Sequence, residues 1–153
     1  MTPEPITADP PRAISKPASR QQWLDLTFLH WQIGRDLLRR QIPDELELDL
    51  FDGKAWIGLV PFNLQFGGMG TFPETNVRTY VVDAKGRRGV WFFSLDAARL
   101  AAVVGARIAY GLPYYWNLMR LEKSGGVVRY CSRRLHGPAG ESEIVIRPGA
   151  VIA

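Results

Sequence analysis

Alternating apolar and polar positions recur along this chain in short segments. In residues 46–51, leucines occupy every second position and acidic residues lie between them, which is typical of a strand with one buried face. Asp52-Gly53 follows directly and predicts a tight hairpin, because both central residues of a type I′ turn need a positive φ. Residues 54–62 are apolar at nearly every position, so they are predicted to return as the partner strand, deep in the sheet.

The same reasoning predicts further strands in six other segments, at residues 23–31, 76–82, 90–95, 115–122, 127–133 and 143–147. Two helices are also predicted. A short helix over 35–41 is ended by Pro43, and a longer helix over 96–110 is ended by Gly111 and Pro113. The fold class is therefore α+β and mostly antiparallel β, closed into a barrel or cone with one long packed helix and one short N-terminal helix.

The longer helix is expected to pack on the sheet through one apolar stripe. Its members recur at helical spacing and are Leu100, Val103, Val104 and Ile108, widened by Ala97 and Ala101. The alanines and Gly105 are expected to allow a close approach, and Ser94 or Asp96 is expected to cap the start of the helix.

Composition indicates one globular domain. The chain has 153 residues, of which 46% are hydrophobic and 22% charged. Residues 1–20 contain five prolines and few large apolar groups, so a flexible tail is expected there, followed by a single domain over 21–153. The start of the chain lacks a basic-then-apolar leader, and its one cysteine, Cys131, is expected to be a buried structural thiol in a reducing compartment. A cytoplasmic location is the expectation.

The net charge of +4 brings two partner classes into question. The arginines of the chain occur as pairs rather than as a run, so nucleic acid is not the favoured partner. A basic nucleic-acid or partner-binding module stays an alternative. No membrane partner is expected, because the most apolar helix is short and is interrupted by Arg99 and Arg107. His30 and His136 are too few for a metal site, and neither a metal nor a cofactor is expected. A homo-oligomer stays open.

The best polar cluster lies at residues 73–78. If Asn76, Arg78 and Tyr80 alternate with apolar neighbours on a strand, they share one face. An inward Arg78 would bind a carboxylate through two parallel hydrogen bonds. Two alternatives remain: the face is solvated, or Glu74 and Arg78 form an ion pair.

Five segments together resemble a known family. They are FLHW at 28–31, LELDLFDGKAWIGLVPF at 46–62, TFPETNVRTYV at 71–81, GVWFFSLDA at 89–97 and GLPYY at 111–115. Over residues 23–147 the chain resembles an uncharacterised bacterial family, the YqjF-like domain-of-unknown-function family of the acetoacetate-decarboxylase-like superfamily. That family usually continues well past this point, so the chain is expected to be either truncated or a short variant.

The resemblance implies an acetoacetate-decarboxylase-like fold but not its usual chemistry. Superfamily decarboxylases carry a Gly-x-Pro-Lys-Lys segment after the helix, and one of the lysines forms a Schiff base with a β-keto acid. Here Tyr114 and Tyr115 occupy the lysine positions, and tyrosine cannot form an imine. The resemblance also makes Glu74 the nearest match to a glutamate that lines the decarboxylase pocket.

The other side chains leave several roles open. One residue of the pair Tyr114 and Tyr115 should face the interior, to bind a ligand or to pack as an aromatic. His30 is a candidate proton carrier or a structural histidine. The four lysines are expected to be solvated, protonated and poor nucleophiles, namely Lys16, Lys54, Lys85 and Lys123.

The chain is therefore expected to bind a small organic acid or ketone without Schiff-base lysine chemistry. Its candidate ligand-binding residues are Arg78, Glu74, Asn76, Tyr114, Tyr115 and His30. The alternative is a decarboxylase-like enzyme that uses another lysine or an acid/base pair. Whether the protein is an enzyme at all is left open.

Overall fold

The computed structural model describes residues 2–9, 15–17 and 19–151. Within these ranges nine strands form one sheet: β1 (Gln21–Leu24), β2 (Leu29–Ile33), β3 (Leu46–Leu48), β4 (Ala55–Phe66), β5 (Thr71–Asp83), β6 (Arg88–Ala97), β7 (Tyr114–Ser124), β8 (Val127–Arg134) and β9 (Glu141–Ile146). The helices are α1 (Arg35–Arg39) and α2 (Leu100–Tyr110), with a 3-10 turn at Gly67–Met69.

The main path of the sheet runs β1-β4-β5-β6-β7-β8-β9, while β2 pairs with β4 and β3 with β5. Neighbouring strands are antiparallel except β6 and β7, which are parallel over three residue pairs from Leu95–Tyr114 to Ala97–Trp116. In the described part of the chain β1 and β9 do not pair with each other, so the sheet is a curled half-barrel. The mostly-strand fold class with few helices is confirmed.

The core lies where the paired strands β4 and β5 pack beneath α2. Strand β4 is apolar at most positions and pairs with β1, β2 and β5, as its sequence predicts for a strand deep in the sheet. The buried cluster consists of Val60, Phe62, Leu64, Phe72, Ala97 and Val103. Trp23 stacks on Phe62 with ring centroids 4.5 Å apart. These contacts hold α2 against one face of the sheet.

The hairpin predicted between 46–51 and 54–62 is wrong, although its turn is present. Asp52 and Gly53 have φ values of 50° and 71°, yet the ladder stops at the single bridge between Phe51 and Lys54. Strand β3 pairs instead with β5, Leu46 facing Asp83. The start of β4 has no edge left for β3, because β2 pairs along one side of it and β5 along the other.

The first predicted strand, 23–31, is two strands. Asp25 adopts a left-handed φ of 54° and its carbonyl accepts a hydrogen bond from the Tyr130 hydroxyl. The chain therefore breaks between β1 and β2, and both pair with β4. Strand β5 is longer than predicted and begins at Thr71, because Pro73 is accommodated inside it. Its carbonyl accepts a hydrogen bond from the Ala98 amide at 3.1 Å.

Helix α2 starts four residues later than predicted. Asp96 and Ala97 belong to β6, where they pair with Tyr115 and Trp116, so the expected cap by Ser94 or Asp96 is wrong. The residue before the helix is Arg99, which makes no side-chain cap. The end is as predicted, because Gly111 takes a left-handed φ of 64° and its amide bonds back to the Arg107 carbonyl.

The apolar stripe predicted for α2 is also wrong. Val103 is buried, but Leu100 and Val104 are about half exposed and Ile108 is 82% exposed. The helix is oriented so that Val103, the one buried residue of α2, contacts the core together with Ala102, which was not part of the predicted stripe. Small side chains on the sheet side of the helix carry too weak a hydrophobic signal to be recognised by periodicity alone.

Part of the N-terminal segment is attached to the domain. The Glu4 amide donates to the Gly86 carbonyl at 2.8 Å, and the Arg88 amide donates to the Glu4 carboxylate at 2.9 Å. Glu4, within the segment 1–20 for which a flexible tail is predicted, thus lies against the turn between β5 and β6. Residues 1, 10–14 and 18 of that tail lie outside the described residues.

Phe62 tests whether this core holds the fold. We expect Phe62→Ala to lower the free energy of unfolding by about 3–5 kcal/mol, because the fully buried ring leaves a cavity beneath Trp23. Urea denaturation measures the change. Phe51→Ala is the matched control, since that ring is 63% exposed and its loss should cost no more than about 0.5 kcal/mol. Equal losses in the two variants would contradict this assignment of the core.

Candidate functional site

Strand β5 presents three polar side chains to the core at alternate positions. Glu74, Asn76 and Arg78 are only 2%, 1% and 8% exposed. Side chains two residues apart lie on the same face of a strand, so they form one row, here called the polar row. Phe62 pairs with Glu74 and Val60 pairs with Asn76 on β4, so apolar residues of the core flank the row.

Each member of the polar row keeps one buried atom without a hydrogen-bond partner in the described part of the chain. These atoms are Glu74 Oε2, Asn76 Oδ1 and Arg78 Nε. Leaving a buried donor or acceptor unsatisfied costs about 1–3 kcal/mol. Native structures contain few such groups, so three in succession on one strand mark this row as chemically unusual.

Tyr114 completes one end of the row. It pairs with Leu95 in the parallel β6–β7 ladder, and Leu95 in turn pairs with Asn76, so all three point to the same side of the sheet. Its hydroxyl donates to Glu74 Oε1 at 3.1 Å. The expectation that one tyrosine of the pair faces the interior is met by Tyr114.

The environment of Glu74 disfavours its charged form. Burial raises its pKa from an ordinary 4.5 to about 7; the hydrogen bond from Tyr114 opposes this shift and the negative charge of Asp96 adds to it. Burial also raises the pKa of Tyr114, and the adjacent Glu74 charge raises it further. The pair is therefore a neutral phenol beside a carboxyl group that can exchange a proton near neutral pH.

Arg78 lies at the other end of the row between two aromatic rings. Its guanidinium carbon is 5.2 Å from the Phe28 centroid and 5.8 Å from the Tyr80 centroid, distances at which cation–π attraction operates. The alternative ion pair with Glu74 is not formed, because four residues of extended strand separate the two by about 13 Å. Within the described ranges no carboxylate lies in salt-bridge contact with Arg78.

His30 lies beside Arg78 rather than beside Glu74. Its Nε2 is 2.6 Å from the Tyr80 hydroxyl, and its ring stacks with those of Phe28 and Tyr80. Burial, followed by the positive charge of Arg78, lowers the pKa of His30. Gly58 makes room for this arrangement, since a Cβ there would lie 3.2 Å from His30 Nε2.

Tyr115 points to the opposite side of the sheet and away from the polar row. The Arg134 guanidinium lies 4.1 Å from its ring centroid and donates to both oxygens of Asp96 at 2.9 and 3.2 Å. These contacts link β8 to β6 on the side of the sheet opposite the polar row. Sequence reasoning missed it, because Arg134 was visible only as one of a pair of arginines and its partner is distant along the chain.

Most of the remaining charged side chains lie at the surface, although Arg88 and Asp49 form a partly buried ion pair. All four lysines are exposed, and Lys123 pairs with Asp25. Each arginine pair has a member bound to an acid, as Arg39 is to Asp44 and Arg87 to Asp83. Cys131 is a free, half-buried thiol, which is less buried than expected.

Among the described residues, no group of three or more His, Cys, Asp or Glu side chains is placed to hold a metal ion. In the same ranges, no helix combines the length and apolar character needed to cross a bilayer.

Solved structures with the same arrangement of strands come from acetoacetate-decarboxylase-like proteins. Acetoacetate decarboxylase from Legionella pneumophila subsp. pneumophila str. Philadelphia 1 matches with a TM-score of 0.60 at 18% identity, over 83% of this chain and 50% of that one. The enduracididine biosynthesis enzyme MppR, complexed with pyruvate, matches with a TM-score of 0.59 at 14% identity, over 80% of this chain and 55% of that one. At such identities the likeness shows the fold alone.

Sequence comparison identifies the family. The uncharacterized protein YqjF of Bacillus subtilis (strain 168) is 41% identical over 138 residues, covering 84% of this chain and 57% of that protein. The chain thus spans little more than half the length of that relative. Residues 20–153 match DUF2071, a family described as an uncharacterized conserved protein. The resemblance seen in the sequence is confirmed, and the chain belongs to the DUF2071 family, with an acetoacetate-decarboxylase-like fold.

Proposed function

We propose that this protein binds a small organic acid or ketone at the polar row of β5, without Schiff-base chemistry. The observation that carries the proposal is the set of three buried atoms without partners, Glu74 Oε2, Asn76 Oδ1 and Arg78 Nε. A ligand that supplies hydrogen bonds to them would recover part of the free energy that their burial costs.

The two ends of the row, about 13 Å apart along the strand, offer different chemistry to an acid or a ketone. Arg78 offers a positive charge that no described carboxylate neutralises, which suits a ligand carboxylate. Glu74, with a pKa of about 7, offers a proton to a carbonyl oxygen in its neutral form or accepts one in its charged form. The structural neighbour MppR is complexed with pyruvate, a 2-oxo acid, which supports this ligand class.

Imine formation is not part of the proposal. A Schiff-base lysine works as a nucleophile when burial or a neighbouring charge lowers its basicity. The four lysines of this chain are exposed, and the polar row meets Tyr114 where decarboxylases of the superfamily carry a lysine. Any acid/base chemistry at this site would therefore depend on Glu74.

Arg78 provides the first test of the proposal. We expect Arg78→Met to weaken binding of pyruvate and longer 2-oxo acids at least tenfold, because a charge-assisted hydrogen bond contributes about 1.5–3 kcal/mol. Methionine keeps an apolar chain between Phe28 and Tyr80. Calorimetric titration measures the affinity, and Arg133→Met, at an exposed arginine on β8, is the control. Unchanged affinity in Arg78→Met would remove Arg78 from the site.

Borohydride trapping separates this function from a lysine-dependent decarboxylase. We expect intact-mass measurement to show no adduct after the protein is mixed with a β-keto acid and sodium borohydride, because all four lysines lie in solvent. A mass increment that peptide mapping places on one lysine would contradict the proposal and favour the decarboxylase-like alternative.

Titration of Glu74 should be visible in stability. Its folded pKa of about 7 lies above its ordinary 4.5, so the stability it contributes is complete below pH 4.5 and is lost as the pH rises to about 7. Between about pH 5 and about pH 8 the parent should lose about 2.5 kcal/mol relative to Glu74→Gln, which cannot ionise. Urea unfolding of both proteins at both pH values measures the difference. Parallel pH profiles would show that Glu74 titrates normally.

A further inference from the structure

An apolar groove opens between α2 and the sheet, next to the polar row. Its volume is about 550 Å³, within the range of small-molecule sites. The sheet side is formed by Leu64, Phe66 and Met69, and the helix side by Ala102, Gly105 and Ala106. The groove is thus lined mainly by carbon.

The small residues of α2 create the space. Gly105 lies in the middle of the helix, where glycine costs roughly 1 kcal/mol relative to alanine. Apart from its chain neighbours and the nearby helix backbone, no described atom lies within 4 Å of the position that a Cβ on Gly105 would occupy, so close packing does not require this glycine. A larger side chain at this position would extend into the groove.

Tyr114 connects the groove to the buried polar row. Its ring lines the groove, while its hydroxyl donates to Glu74 Oε1. Glu74 is 2% exposed and keeps Oε2 unpaired. The β4–β5 register gives the same order, since Leu64 of the groove pairs with Phe72, one step along the face from Phe62 and Glu74. The apolar groove and the buried polar side chains of the row therefore lie end to end on one face of the sheet, with Tyr114 between them.

We infer that the ligand of this site carries an unbranched aliphatic tail that lies in the groove beneath α2, with its carbonyl or carboxyl head directed past Tyr114 to Glu74. The inference rests on the proposed function and adds the substrate class: an oxo acid or ketone with a medium-length apolar chain, rather than a compact acid of pyruvate size. The complementarity is one of polarity, because carbon lines the groove and buried polar groups lie beyond its inner end.

A chain-length series tests the inference. Straight-chain 2-oxo acids from pyruvate to 2-oxodecanoate are titrated into the protein. Affinity should rise about fourfold for each added methylene until the groove is filled, because burying one CH₂ contributes ~0.8 kcal/mol. In Gly105→Leu the increase should disappear while pyruvate binds as in the parent. This variant should melt no lower than the parent, because leucine is the better helix former.

Val104→Leu is the matched control. It places the same side chain one residue away, on a half-exposed position outside the groove, and should keep the chain-length dependence of the parent. Affinity that does not change with chain length in the parent, or a Gly105→Leu protein that keeps the dependence, would overturn the inference.

The outcomes also separate the groove from the proposed function. If Arg78→Met and Glu74→Gln abolish binding of short acids but long acids bind no better than short ones, the proposed function stands and the groove inference fails. If Gly105→Leu blocks the binding of long acids while Arg78→Met and Glu74→Gln bind them as the parent does, the groove binds the ligand and the proposed role of the polar row is wrong. If sedimentation shows a parent dimer that Gly105→Leu dissociates, a second copy occupies the groove and the inference is wrong.

Discussion

Burial of ionisable groups inside a central strand is the constraint on which the site depends. Glu74, Asn76 and Arg78 lie on β5 between two long strands, where water cannot reach most of their polar atoms. Charging a carboxyl group there is costly, so the pKa of Glu74 is raised to about 7. The hydroxyl group of Tyr114 donates a hydrogen bond to it. Phe62 and Val60 on β4, both fully buried, flank Glu74 and Asn76 and contribute to this burial.

This arrangement lowers stability at neutral pH, where Glu74 is partly charged. A glutamine or an apolar residue at position 74 would be easier to bury, and an arginine without a carboxylate partner is likewise expensive to place beneath a sheet. Folded proteins keep such groups where function needs them, and perturbed pKa values concentrate at such sites. Three buried polar side chains with unsatisfied atoms, on one face of β5, are therefore the strongest physical argument for a ligand there.

Local pattern predicted those features that depend on neighbours along the chain. The β7–β8 hairpin, the helix end at Gly111 and the shared face of Asn76, Arg78 and Tyr80 all follow from turn chemistry or strand alternation. The partner of β3 and the start of α2 do not. Strand β3 finds β4 already flanked by β2 and β5, and residues 96 and 97 are held in β6 by their pairing with β7. Which strand edges are already paired depends on the whole sheet, so the sequence of a short segment does not reveal it.

The candidate site shows the same division. Alternation places Arg78 and Glu74 on one face, and the resemblance marks Tyr114 and Tyr115 as the residues at the lysine positions. Which tyrosine faces inward depends on the parallel register of β6 and β7, which the sequence does not express. The link from Asp96 to Arg134 is equally invisible, since 38 positions separate the two residues.

The two adjacent phenols have a consequence for how this crossover can evolve. Side chains alternate between faces, so a one-residue deletion in residues 98–113 that shifts the β7 register would bring Tyr115 to the place of Tyr114. Glu74 would still meet a hydroxyl group, but Trp116 would turn outward from the core and Asn117 would turn into it. Such a change in length is therefore disfavoured by the loss of Trp116 from the core. It is not disfavoured by the loss of a hydroxyl group beside Glu74, because either tyrosine supplies one.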